Sequence, residues 1–146
     1  MQLAFDFAAP PPMAPPAPAS RPSDRARTHR GRTNYHAGLA AEDAVARAYH
    51  RLGCRVIARR YRASAGEVDL VLRNGAEVVF VEVKKGRTHD GAIERVRPDQ
   101  VHRIRAAATE FVEGEPRGQL TAMRLDVATV DAVGSVRLHP GILAHC

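Results

Sequence analysis

The sequence is short of aromatic residues, of cysteine and of long apolar runs, and each shortage removes a class of function. Aromatic residues make up 5% of the chain, too few for a stacking platform that grips extended single strands. Cys54 and Cys146 lie far apart, without C-x-x-C or Cys…His ligand spacing. They indicate neither a zinc site nor a disulfide framework, and a reducing cytoplasm is the expected compartment. No apolar segment approaches the roughly 18 residues of a membrane span. The opening residues lack a basic segment and contain Asp6, so no signal peptide is expected either. A G-x-S-x-G elbow, an H-E-x-x-H pair and a phosphate-cradling G-x-x-x-x-G-K are also missing. The seven histidines form no ligand pattern and are expected at the surface.

Lysine is scarce in a different way. Of 22 basic residues only Lys84 and Lys85 are lysines, and arginine serves everywhere else. The two side chains are not equivalent where a compact, titratable point charge is needed, so this adjacent pair marks a chemical constraint. The net charge of +6 is less informative than it looks. Half of it lies in residues 1–33, where five arginines face Asp6 and Asp24, and the rest of the chain is only mildly basic. A phosphate-rich partner is permitted by this balance without being required.

What is present divides the chain in two. Residues 8–22 are almost all alanine and proline and hold seven of the ten prolines. Such a stretch builds no core and favours extended conformations, with the arginine-rich residues 21–32 continuing it as a basic lead-in. Residues 1–34 are therefore expected to be a disordered tail and residues 35–146 one domain. Its first helix spans residues 36–52, with Ala41, Val45, Ala48, Tyr49 and Leu52 on one stripe and Gly53 as the stop. Glu42 shares that stripe, and a carboxylate on a buried face needs a partner or a task. Three strand-like runs follow at residues 55–62, 67–73 and 77–84. A second long helix starts at Pro98 and runs to Glu113, and two strands close the chain. The order α-β-β-β-α-β-β predicts an α/β domain: a mixed sheet of about five strands flanked by helices.

Asn74-Gly75 between two alternating runs predicts a hairpin. With those two residues as the loop, Arg73 faces Ala76, Glu67 faces Glu82 and Asp69 faces Phe80. Val68, Leu70, Leu72, Val79, Val81 and Val83 then share one face, while Glu67, Asp69, Glu82 and Lys84 share the other. Three carboxylates within about 5–8 Å destabilise a sheet unless a cation compensates. All-oxygen ligation suits a hard ion, Mg²⁺ or Mn²⁺, held by Asp69, Glu82 and the Val83 carbonyl, with Lys84 orienting water or neutralising the phosphorane charge.

These residues also resemble a known family. Gly66-Glu67-Val68-Asp69-Leu70 followed by Phe80-Val81-Glu82-Val83-Lys84 is similar to the paired signatures of the uncharacterised bacterial YraN-type proteins. That family is a branch of the PD-(D/E)xK nuclease superfamily related to archaeal Holliday-junction resolvases. The resemblance runs over residues 35–130 and takes in Arg124-Leu125-Asp126-Val127, similar to the family's late strand. It implies a restriction-endonuclease-like core and a catalytic set of Glu42, Asp69, Glu82 and Lys84. Where the family commonly has lysine this chain has Gln100, and glutamine is also used there by related nucleases. Arg60 stands where asparagine is common, and Val83-Lys84-Lys85-Gly86-Arg87 departs from the usual V-K-T-R.

The implied reaction is metal-dependent phosphodiester hydrolysis of structured or branched DNA in repair or recombination, with phosphate contacts from Arg59, Arg60, Arg62, Lys85, Arg87 and Arg103. The alternative is a catalytically inactive nucleic-acid-binding module of the same fold. Two further partners are expected on weaker grounds: a second copy of the chain, by analogy with dimeric junction-cutting relatives, and a sliding clamp. The clamp expectation rests on residues 2–7, Gln2-Leu3-Ala4-Phe5-Asp6-Phe7, which resemble clamp-docking peptides on a flexible tether.

Overall fold

Side-chain periodicity places each element, and the computed structural model shows how the elements stack; it describes the backbone of residues 22–142 and the side chains of residues 37–142. The clamp-like segment, residues 2–7, lies outside the described residues, as does nearly all of the alanine–proline stretch. By internal contacts the chain divides into Met1–Asn34 and Tyr35–Cys146, and the sheet lies wholly in the second unit.

The elements in chain order are α1 (Pro22–Arg51), β1 (Arg55–Arg62), β2 (Glu67–Asn74), β3 (Glu77–Lys85), α2 (His89–Ile93), α3 (Pro98–Val112), a 3₁₀ turn (Gly118–Leu120), β4 (Met123–Val130) and β5 (Val136–His139). The long elements follow the expected order. Helix α1 begins at Pro22 instead of near residue 36. Proline is tolerated in a first helical turn, and no other proline follows until Pro98, so nothing interrupts the backbone in between. Helix α3 starts on Pro98 as expected. The short α2 has no apolar period of its own. It is nucleated by Thr88, whose hydroxyl accepts the Gly91 N–H at 3.0 Å.

The sheet has the order β1-β2-β3-β4-β5, with β3 and β4 parallel and the other neighbours antiparallel. The parallel step needs a crossover, and α2 and α3 supply it. Helix α1 covers one face, packing Val45 and Tyr49 against Leu70, Leu72, Val79, Val81, Ala128 and Val130. Helix α3 covers the other, with Val101, Ile104, Ala108 and Val112 against Val71, Val78, Phe80, Leu125 and Val127. Because both faces are covered, the central strands are apolar almost throughout.

The hairpin register differs from the expected one. Asn74 pairs with Glu77 and Leu70 with Val81, so the loop is Gly75-Ala76. Gly75 has φ +61°, and among the described residues Arg60 is the sole non-glycine with positive φ. Positive φ at the first central position alone is the II′ arrangement, which wants glycine there; an Asn-Gly-centred I′ turn needs positive φ at both. Each strand therefore slides by one residue. Parity is preserved, so the expected faces stand for Leu70, Leu72, Val79, Val81 and Val83 but not for Val68, which joins the opposite cluster; the level changes too, and Asp69 comes beside Glu82 instead of Phe80.

Candidate functional site

Asp69 occupies a gap in the sheet. The β2–β3 pairing ends at Leu70–Val81. The β1–β2 pairing runs from Arg59–Leu70 to Tyr61–Val68 and skips the residues between. At that break Arg60 has φ +48°, a left-handed conformation that costs an L-residue about 1–2 kcal/mol and that asparagine adopts more readily. The asparagine expected at this position has its physical reason in that angle. Beyond the break the alternation changes phase, and Val68 and Tyr61 join the α3-side cluster. The Asp69 carboxylate turns toward β3, where Oδ2 accepts the Val83 N–H at 2.8 Å, a donor that would otherwise serve a strand ladder.

Glu82 is buried on the α3 side. Its Oε1 accepts Gln100 Nε2 at 2.6 Å and lies 3.2 Å from Lys84 Nζ. Gln100 reaches it from the first turn of α3, where the apolar seam of that helix gives out. Asp69 and Glu82 are also close enough for each to shift the titration of the other. Two neighbouring carboxyls resist being ionised together. Burial, then the Asp69 charge, pushes Glu82 up to about 7, while Lys84 opposes the shift. Burial likewise raises Asp69, against the Val83 N–H, the bond from Glu82 and the Lys84 charge, which all lower it. Burial thus makes the pair harder to ionise fully than two separate carboxylates.

Asp69, Glu82, Val83, Lys84 and Gln100 therefore form one cluster. Glu42 reaches it indirectly. It is buried on α1 and paired with Arg60, whose Nε and NH2 lie 3.5 and 3.4 Å from its carboxylate oxygens. Arg60 is thus committed to a carboxylate next to the site. Arg59 is ion-paired with Asp43 at 2.6 Å, and the cleft it lines, with Arg47 and Arg55, excludes the cluster residues. Arg62 pairs with Glu67 at 3.4 Å on the exposed edge.

A cleft of about 560 Å³ opens directly on the cluster, lined by Lys84, Gln100 and four further cations, Lys85, Arg95, Arg97 and Arg103, with Glu94 the lone acid among its lining residues. Lys85 and Arg103 were expected at a phosphate path; Arg95 and Arg97 were not. Their position just ahead of Pro98 and Gln100 was the available signal, since whatever brings Gln100 to Glu82 brings its neighbours too. Arg103 is placed by Gly66, where an added Cβ would lie 3.0 Å from Arg103 Cβ. Arg87 lies in an adjoining cleft.

Two histidines expected at the surface are instead tied to the sheet. His89 Nδ1 and His139 Nε2 lie 2.7 and 3.0 Å from the hydroxyl of buried Thr129, and His89 Nε2 lies 3.6 Å from Asp131. Burial first, then Arg137 and His89, lowers the His139 pKa. No sequence spacing signals this group, because its members come from α2, β4 and β5.

Whether the cluster suits a divalent cation can be judged from its donors. Among the described residues no three His, Cys, Asp or Glu side chains converge as a ready-made ligand set. The two adjacent carboxylates nevertheless repel each other when both are ionised, which a cation would relieve, and their ligand atoms are all oxygens. Such a pair fits a hard ion that keeps backbone, solvent and phosphate oxygens in its shell.

The comparisons with known proteins point one way. The family described as uncharacterised protein family UPF0102 matches residues 41–130. A UPF0102 protein of Cereibacter sphaeroides strain KD131 is 56% identical over 108 residues, covering 74% of this chain and 92% of the relative. One from Roseobacter denitrificans is 51% identical over 117 residues, covering 80% and 91%. Another, from Ruegeria pomeroyi, is 46% identical over 121 residues, covering 83% and 98%. Among the described residues no helix is long and apolar enough to cross a membrane.

Proposed function

We propose that this chain, which belongs to the uncharacterised protein family UPF0102, is a nuclease that hydrolyses DNA phosphodiesters with Mg²⁺ or Mn²⁺ at Asp69 and Glu82. The observation that carries the reading is the pairing of buried Glu82 with half-buried Asp69 beside a lysine at the edge of a five-cation cleft. A sheet gains nothing in stability from that arrangement, because the carboxylates repel and each loses hydration. A site for a divalent cation and an anionic substrate gains a great deal. The resemblance to PD-(D/E)xK nucleases implies the same chemistry, with branched or structured DNA as the substrate class.

Asp69, Glu82 and the Val83 carbonyl would hold the cation. When bound, the cation supplies Lewis acidity toward the phosphate and a more acidic attacking water. The protein's own groups then have separate tasks. The Val83 N–H fixes one Asp69 oxygen, and the Gln100 amide donates to Glu82 Oε1, so neither carboxylate rotates freely. Lys84, 3.2 Å from Glu82, places its ammonium where charge grows on the phosphorane oxygens. In the reaction a water oxygen bonds to phosphorus and the P–O bond to one sugar breaks. The attacking water loses its proton, and the leaving alkoxide takes one up. The cations of the cleft bind the flanking phosphates and fix the strand in register.

The test is cleavage of labelled duplex, single-stranded, flap and four-way-junction DNA with Mg²⁺ or Mn²⁺, with binding recorded in parallel. Asp69→Ala and Glu82→Ala should each lower the cleavage rate by about 10³-fold or more and leave affinity within about threefold. Binding without cleavage in either metal, indifferent to both substitutions, would replace this reading with that of a binding module.

A further inference from the structure

A second cleft, of about 550 Å³, lies on the far side of Lys85 and Arg95 from the cluster. One wall is a face of α1 made of Ala37, Ala40, Ala41 and Ala44, spaced to share one side of the helix. The opposite wall is the β3–α2 link and the end of β4, including Arg87, Val130 and Asp131. Lys85 and Arg95 line this cleft and the cation-rich one alike, so the two adjoin at that pair. Their positions are coupled, since Arg95 NH1 donates to the Lys85 carbonyl at 2.8 Å. The link itself has little freedom: a Cβ on Gly86 would lie 3.0 Å from Ala92 N and Thr88 O. Asp131, the acid in the lining, is already engaged by the Val133 and Ser135 N–H groups and His89.

The chemistry of this cleft is two-sided, with alanine methyls and Val130 on one hand and Lys85, Arg87 and Arg95 on the other. A duplex presents phosphates and sugars outward and hides its base faces, so an alanine wall has nothing to offer it. An unpaired strand presents both phosphates and apolar base faces. Size points the same way: a cavity of this volume is pocket-sized, within roughly 300–1,000 Å³, whereas duplex recognition spreads over about 1,000–2,500 Å² of protein surface. Among the described residues no aromatic side chain lines the cleft, so bases would be held there by burial, without sequence preference.

We propose that this cleft receives an unpaired DNA strand continuing from the nucleotide at the Asp69–Glu82 cluster, so that the preferred substrate is a duplex carrying a single-stranded extension of a few nucleotides. The position of the cut rests on the nuclease reading; the binding preference does not. The experiment is fluorescence anisotropy in EDTA with a blunt hairpin duplex and the same duplex bearing an extension of about six nucleotides on either end. The wild-type protein should bind one of the extended probes about tenfold or more tightly than the blunt one. Ala40→Trp, which fills the cleft from an exposed position on α1, should erase that advantage and leave blunt-duplex affinity unchanged. Arg87→Ala should lower the slope of log K against log salt by about 0.7 on the extended probe, the value for one single-strand phosphate contact. Equal wild-type affinity for blunt and extended probes, or equal loss on both in Ala40→Trp, would overturn the proposal. Cleavage of the same probes keeps the two readings apart. An extension preference with no cleavage in any metal sinks the nuclease and upholds the cleft, and cleavage without an extension preference does the reverse.

Discussion

The two faces of the central sheet each bury acid, and they treat it in opposite ways. On the α1 face Asp126 is fully buried and surrounded by donors: Tyr49 OH at 2.7 Å, Arg124 Nε and NH2 at 2.9 and 3.0 Å, and the Gly141 N–H at 2.8 Å. The cost to its neighbours is visible in Tyr49, whose hydroxyl pKa is raised by burial and by the Asp126 charge. On the α3 face Asp69 and Glu82 face one another, their donors fall short of what two charges need, and burial raises the pKa of both. The two regions are separated by the thickness of one sheet. A buried acid that serves the fold is given a full set of donors, whereas one left short of compensation is available to something that arrives later.

The contrast can be broken first by removing each acid. Asp126→Ala should destabilise the protein by about 3–5 kcal/mol, because Arg124 and Tyr49 lose a shared partner. Asp69→Asn keeps an acceptor for the Val83 N–H and removes repulsion, and should change stability at pH 7 by less than about 1 kcal/mol. Denaturant midpoints measure both. If Asp69→Asn costs as much as Asp126→Ala, the Asp69–Glu82 pair is structural and the contrast fails.

A smaller effect sharpens it through pH. Glu82 titrates near 7 in the folded chain against an ordinary value of 4.5, so between those values the folded state binds the extra proton and stability falls as pH rises. That contribution is fully present below pH 4.5, is lost progressively up to about pH 7, and amounts to at most about 3 kcal/mol. Thermal melts from pH 4.5 to 8 should show the decline in the wild type and a flatter profile in Glu82→Gln. Added Mg²⁺ should recover the loss at the alkaline end, since it competes with the proton. A wild-type profile as flat as that of the variant would contradict the raised pKa of Glu82.

The smallest effect belongs to Gln100. Gln100→Ala removes a donor to the charged form of Glu82 at a cost of about 1 kcal/mol and should move the midpoint of that decline to higher pH. An unchanged midpoint would mean that the 2.6 Å bond does not orient Glu82.

Much of this was legible before the structure. Alternation in β2 and β3 separates Leu70, Leu72, Val79 and Val81 from Asp69, Glu82 and Lys84, and the period of α3 brings Gln100 toward the sheet. The level of Asp69 was not legible, because Asn74-Gly75-Ala76 is compatible with two turns one residue apart and only the backbone angles decide between them. Glu42 could be seen to need a partner, but that partner, Arg60, is aimed by a left-handed angle that residue type alone does not disclose. Arg95 and Arg97 acquire meaning only once α3 is docked beside Glu82. His89, Thr129 and His139 meet across three elements.

By itself, then, the sequence determined the elements and the faces, because periods of two and 3.6 residues are local properties that survive a one-residue slide of each strand. It also determined which residue types were available for chemistry, down to the two lysines. The tertiary structure alone decided who stands level with whom: Asp69 with Glu82, Gln100 with the same carboxylate, Arg60 with Glu42. The raised pKa of Glu82 is a consequence of distance and burial, which follow from the Gly75 turn, the break at Arg60 and the docking of α3.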